Sequence, residues 1–141
     1  MNTDGIIALI SDVRAGANRF LVRELEKRGI KGLSPSHGAV LFYLFNTQKA
    51  TMKDLAKAVH RDKSTITALV AKLVEHGYVG KEAGILDQRN IEVRLTDKGE
   101  SLRPVFLELS EKLLTNAWKG IDEAEQKEVI SILEKIRKNF D

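Results

Sequence analysis

The chain has no cysteine, which excludes a disulfide framework, a thiol nucleophile, thiolate metal ligands and thiol-based redox sensing. With only 2 prolines and 10 glycines, nothing in it reads as a low-complexity linker. Long hydrophobic runs are missing too. The longest, AVLFYLF at 39–45, is far short of the roughly 20 residues a membrane-spanning helix needs. The N-terminal GIIALI follows Asp4 rather than a basic stretch, so it reads as mature structure and not as a secretory signal. The three histidines are scattered, without carboxylates at ligand spacing, and predict no metal site. P-loop, GxGxxG, HExxH and GxSxG patterns are absent, as is any clustered acid and base pair, so an enzyme is not expected and no cofactor is implied.

What is present is a chain of 141 residues, about one domain by length, 43% apolar and 30% charged, compatible with the cytoplasm. Its net charge of +3 is unevenly placed. Residues 49–98 hold 10 Lys/Arg against 7 Asp/Glu, whereas the remainder balances at 13 of each. A local basic excess of this kind attracts phosphate backbones, although so small a surplus is also ordinary for a protein surface.

Apolar spacing of three and four predicts a mainly helical fold. Ile6, Leu9, Ile10, Val13, Ala17, Phe20, Leu21 and Leu25 mark a first helix over about 4–28, closed by Gly29 and Gly32. Ser34 caps a second, largely buried helix, with Pro35 at its first position. Thr51 and Asp54 form a capping box for a short third helix, which HRDK at 60–63 ends. Asp62 or Ser64 caps the fourth, whose inward face is Ile66, Leu69, Val70, Leu73 and Val74 and whose stop is Gly77.

The period then changes. In LDQRNIEVRLT, Ile91, Val93 and Leu95 alternate with Glu92 and Arg94, so NIEVRL and the preceding YVGKE predict two antiparallel strands. Thr96 starts a fifth helix that runs to Gly120, with Pro104 inside it as a bend. Asp122 and Glu125 box the start of a sixth, marked by Val129, Ile132, Leu133, Ile136 and Phe140.

Short helix, tight break, second helix and hairpin together describe a winged helix-turn-helix, in which the second helix enters a DNA major groove and the hairpin reaches the neighbouring backbone or minor groove. The outward residues of the fourth helix are Ser64, Thr65, Thr67, Ala68, Ala71 and Lys72. Hydroxyls exchange hydrogen bonds with base edges and alanine meets a thymine methyl, whereas bulky Leu or Phe would block entry. The competing reading makes Ser and Thr plain helix caps and packs the small face against another helix. Lys49, Lys53 and Lys63 are available for phosphates near the helix-turn-helix, although exposed lysines are more often solvated charges, and Arg61 sits in the turn with His60.

STITALVAKLVEHGYV, followed by DQR and LTDKG, resembles the MarR family of bacterial transcriptional regulators. The resemblance rests on a D-x-R wing motif running into L-T-x-x-G, matched by Asp87, Arg89, Leu95, Thr96 and Gly99, and extends over nearly the whole chain. Gly80 departs from it, standing where many relatives carry a basic residue. The resemblance implies that Arg89 at the wing tip enters or flanks the minor groove, where narrow A·T-rich segments concentrate negative potential. Asp87 would hold Arg89 or Arg94 in place rather than face phosphates.

The resemblance further implies one MarR-like domain over 1–141. Residues 33–98 would be the winged helix-turn-helix, and 1–32 with 99–141 the helices of a homodimer; an intramolecular bundle is the alternative. Expected DNA-binding residues are Arg61, Lys63, Ser64, Thr65, Thr67, Ala68, Lys72, Asp87, Arg89 and Arg94. The expected function is a repressor acting on a palindromic site in double-stranded DNA, released by a small aromatic or phenolic effector. Phe20, His37, Phe42 and Trp118 are possible neighbours of that effector. The second function considered is a winged helix used as a protein-interaction module, which calls for an apolar or acidic outward face on the fourth helix.

Overall fold

In the computed structural model, which describes residues 2–84 and 90–141, the predicted caps set most helix ends. Helix α1 (Ile6–Lys27) stops before Gly29, whose φ of 77° is the left-handed turn that glycine tolerates. Helix α2 (Pro35–Thr47) starts from Ser34, whose hydroxyl accepts from the His37 N–H while the His37 ring returns a bond to the Ser34 N–H. Helix α3 (Met52–Val59) has the Thr51/Asp54 box as expected. Helix α4 (Lys63–Glu75) is capped by Asp62 rather than Ser64, which lies inside the helix.

Strands β2 (Val79–Ala83) and β3 (Ile91–Leu95) pair antiparallel, with Val79 opposite Leu95 and Ala83 opposite Ile91. A third strand, β1 (Lys49–Thr51), extends the expected hairpin into a sheet ordered β1-β3-β2, in which Ala50 faces Val93. Three residues are too few to show alternation, so periodicity alone cannot reveal β1. Val93 and Leu95 point inward as predicted, whereas Ile91 stays exposed near the outer end of the wing.

The expected fifth helix is two. A short α5 (Asp97–Glu100) is followed by α6 (Arg103–Ala117), and Pro104 occupies the second position of α6, where its missing N–H costs no helical bond. The bend assigned to Pro104 is therefore a break at 101–102 that precedes it. Helix α7 (Glu123–Lys138) begins at the Asp122/Glu125 box.

Contacts group the chain into two units, one ending at Leu109 and one from Ser110 to Asp141. The core of the first is built on Leu41, Leu44, Leu55, Ile66, Leu73 and Val93, all fully buried. Each such side chain contributes roughly 1.5–3 kcal/mol on burial. Phe42, Phe45 and Phe106 add a cluster of rings 5.5–5.8 Å apart that fixes the start of α6 against α2. Phe42 thus belongs to this packing. In the second unit no residue of α7 is buried. Among the described residues, no helix is long and apolar enough to cross a membrane.

Candidate nucleic-acid interface

The turn between α3 and α4 is set by His60, which adopts left-handed angles (φ 57°, ψ 46°), and by the Arg61 N–H, which donates to the Ala56 carbonyl at 3.1 Å. Asp62 then receives the Thr65 N–H at 2.7 Å and the Ser64 hydroxyl at 3.0 Å. The Thr65 backbone bond first, then the Thr65 and Ser64 side chains, hold the Asp62 carboxyl below the usual carboxylate range. Asp62 therefore stays ionised at the positive end of the α4 dipole.

Ile66, Leu69, Val70 and Leu73 are buried as the periodicity predicts. Val74 is not: it is 38% exposed, because it falls at the edge of the stripe in the last turn. On the opposite side Ser64, Thr67, Ala68 and Ala71 are exposed and Thr65 is half-buried. That face is free of bulky side chains and uncovered by any other described element of the chain. The Thr67 hydroxyl donates to the Lys63 carbonyl at 2.9 Å, as Ser64 does to Asp62. Both protons are used within the helix, so these two oxygens turn outward as acceptors, beside the Thr67 methyl and the alanines.

Charges flank this face. Arg61 and Lys63 are exposed at the start of α4. Lys63 and Lys53 line a cleft of about 460 Å³ with Thr51, Met52, Ala56, Asn90 and Ile91, between the starts of α3 and α4 and the outer end of the wing. On the sheet, Arg94 donates to Glu82 at 2.8 Å, and Lys49 lies 4.0 Å from Glu92. Glu82 raises the Arg94 pKa further, mainly through that hydrogen bond. Lys72 is half-buried and directs its Nζ toward Gly32, not along the small face. Asp87 and Arg89 lie outside the described residues, so the wing-tip expectation rests on the sequence.

The L-T-x-x-G segment has a structural explanation that spacing did not reveal. Thr96 Oγ1 donates to the Gly77 carbonyl at 2.6 Å and accepts from the Gly99 N–H at 3.1 Å, capping α5 and tying it to the end of α4. Gly99 packs so closely on Tyr78 that a Cβ would overlap the Tyr78 carbonyl oxygen. Lys98 donates to the His76 carbonyl at 2.8 Å and lies 5.1 Å from the centre of the Tyr78 ring. The motif therefore fixes where the wing leaves α4.

These elements define a winged helix-turn-helix protein, α3 and α4 being the two helices and β2–β3 the wing. A model described as the MarR family matches residues 33–91. The HTH-type transcriptional regulator SarZ of Staphylococcus aureus is 32% identical over 103 residues, which cover 72% of this chain and 68% of SarZ. Two solved structures share the fold. An E. coli MarR mutant complexed with operator DNA superposes with a TM-score of 0.82 at 21% identity, over 96% of this chain and 99% of that one. BpsR of Bordetella bronchiseptica, whose DNA binding is described as regulated by 6-hydroxynicotinic acid, gives 0.83 at 18%, over 97% and 96%. The chain belongs to the MarR family, whose members are transcriptional regulators rather than enzymes.

Proposed function

We propose that this MarR-family protein is a homodimeric repressor that reads a palindromic DNA operator through α4 and is released by a small effector. The observation that carries the reading is the exposed, small-residue face of α4 with cations at its start. Ser64, Thr65, Thr67 and Ala68 would meet base edges. The outward acceptors of Ser64 and Thr67 suit the exocyclic amines of adenine or cytosine, and the methyl groups suit thymine. Arg61, Lys63 and Arg94 would meet phosphates, and Lys72 adds positive charge at the far end of α4. Arg89 would reach the minor groove from the wing, with Asp87 orienting Arg89 or Arg94. An interaction module is disfavoured because the face offers a protein partner no apolar anchor.

In this reading residues 33–98 bind DNA, and 1–32 with 99–141 form the dimer. Support comes from apolar side chains that the single chain leaves in water: Ile7 54%, Leu9 58% and Val13 66% exposed on α1, and Phe140 78% exposed after α7. Exposed apolar side chains recurring along a helix, as on α1, mark an interaction face. A two-fold dimer would set its reading helices about 34–36 Å apart, one turn of duplex. Blocking promoter DNA needs no separate activating surface, which favours repression. The regulation of BpsR by 6-hydroxynicotinic acid supports a small aromatic effector, which would act here between dimer helices and winged domain provided that it binds the two states with different affinity.

The test is selection of bound sequences from random duplex DNA at moderate salt. The proposal expects an inverted repeat; recovery of DNA without any shared sequence would refute it.

A further inference from the structure

A second polar cluster lies away from the small face of α4, where its last turn meets the connection between α1 and α2. Gly32, at φ 79°, has no side chain, and a Cβ built there would stand 3.5 Å from Lys72 Nζ and 3.8 Å from His76 Nε2. Lys72 and His76, both from α4, thus converge on the exposed backbone of Gly32. Among the described residues, neither of them forms an ion pair with a carboxylate.

His37 adds a third group. It is only 8% exposed, and its Nδ1 accepts the Ser34 N–H at 2.9 Å, so in the neutral ring the proton sits on Nε2. No fully buried side-chain nitrogen or oxygen among the described residues lacks a partner, and Nε2 makes no bond within the protein, so it opens to the surface. The bond to the Ser34 N–H sets the His37 ring two residues beyond Gly32, and burial first, then the charges of Lys72 and His76, lower its pKa. Lys98, the next cation along, is committed to the His76 carbonyl and the Tyr78 ring.

We propose that Lys72, His76 and His37 form, over Gly32, a binding site for a small oxyanion of the carboxylate or phosphate type. Lys72 Nζ supplies the charge and the two imidazoles supply N–H donors. Charge-assisted bonds to an oxyanion neutralise a half-buried lysine that has no carboxylate beside it. The occupant would join the α1–α2 connection to the end of α4. Only a consequent effect on DNA affinity rests on the function proposed above; binding itself does not.

The test uses the full chain without DNA. Inorganic phosphate and sodium acetate are titrated separately at constant ionic strength while the imidazole NMR signals of the three histidines are followed. His60, exposed in the α3–α4 turn, is the internal control. Saturable shifts at His37 and His76 with a still His60 are expected for at least one anion, and which anion saturates assigns the ligand class. Lys72→Gln should weaken the apparent Kd about tenfold or more, the loss of one charge-assisted hydrogen bond. Linear responses to both anions, equal responses at all three histidines, or saturation unaltered in folded Lys72→Gln would overturn the site.

Discussion

Gly99→Ala separates local helix preference from packing. In an open helix, alanine is favoured over glycine by about 1 kcal/mol. Gly99 lies in α5 beneath Tyr78, and the added methyl would overlap the Tyr78 carbonyl oxygen and stand 2.7 Å from Leu95 Cδ1. Leu95 can turn, but the carbonyl cannot easily retreat. It accepts the Thr96 N–H at 3.1 Å, and the Tyr78 N–H is held by the Leu73 carbonyl at 3.0 Å. Overpacking costs about 1–3 kcal/mol, at the upper end where backbone must move, and a strained Thr96 bond adds about 1 kcal/mol. Packing outweighs propensity, leaving a net loss of about 3 kcal/mol. The assay is urea and thermal unfolding at one fixed protein concentration, since any dimer makes the midpoint concentration-dependent. A fall in Tm of roughly 10 °C is expected. Gly80→Ala, where a Cβ meets nothing within 4 Å, should change stability by less than about 0.5 kcal/mol. A Gly99→Ala protein as stable as the parent would refute the latch between α5 and the end of α4.

Three further outcomes follow from the same geometry and sequence. Arg89→Ala should weaken DNA binding and lower the slope of log affinity against log salt by about one, as for loss of a single phosphate or groove cation; unchanged affinity and slope would remove Arg89 from the contacts. Because the folded Asp62 carboxyl titrates below its unfolded value, its contribution is present above the unfolded pKa and is lost as pH falls through the folded one. The stability gap between the parent and Asp62→Ala should therefore close on acidification, and a gap that persists in strong acid would contradict the ionised cap. Sedimentation should show a dimer at micromolar concentration that Val13→Lys dissociates, given the exposure of Val13; a monomeric parent would contradict the interface.

The helix starts were legible because each depends on a side chain bonding backbone three residues away, as at Thr51, Asp62 and Asp122. The break before α6 was not, since it depends on distant partners. Arg103 reaches the Phe45 carbonyl from the first turn of α6, a partner that no local pattern encodes. The turn at Gln48 was hidden for a similar reason: its φ of 66° is adopted without the glycine that would announce it. For the site, periodicity separated the buried and outward faces of α4 correctly except at Val74. It could not show that Ser64 and Thr67 donate inward, or that Lys72 turns to Gly32, because rotamers and not spacing decide both. The L-T-x-x-G motif was recognisable as a pattern, but its work in locking Thr96 and Gly99 under the end of α4 required coordinates.

The central claim is that the small face of α4 lies against base edges, and Thr67→Leu tests it most directly. Thr67 is exposed, so a leucine there should leave the fold intact, which circular dichroism and unfolding can verify. On the sequence recovered by selection, the variant should lose about tenfold or more in affinity while its weak binding to unrelated DNA persists. A folded Thr67→Leu protein with the affinity and site preference of the parent would contradict groove entry by α4.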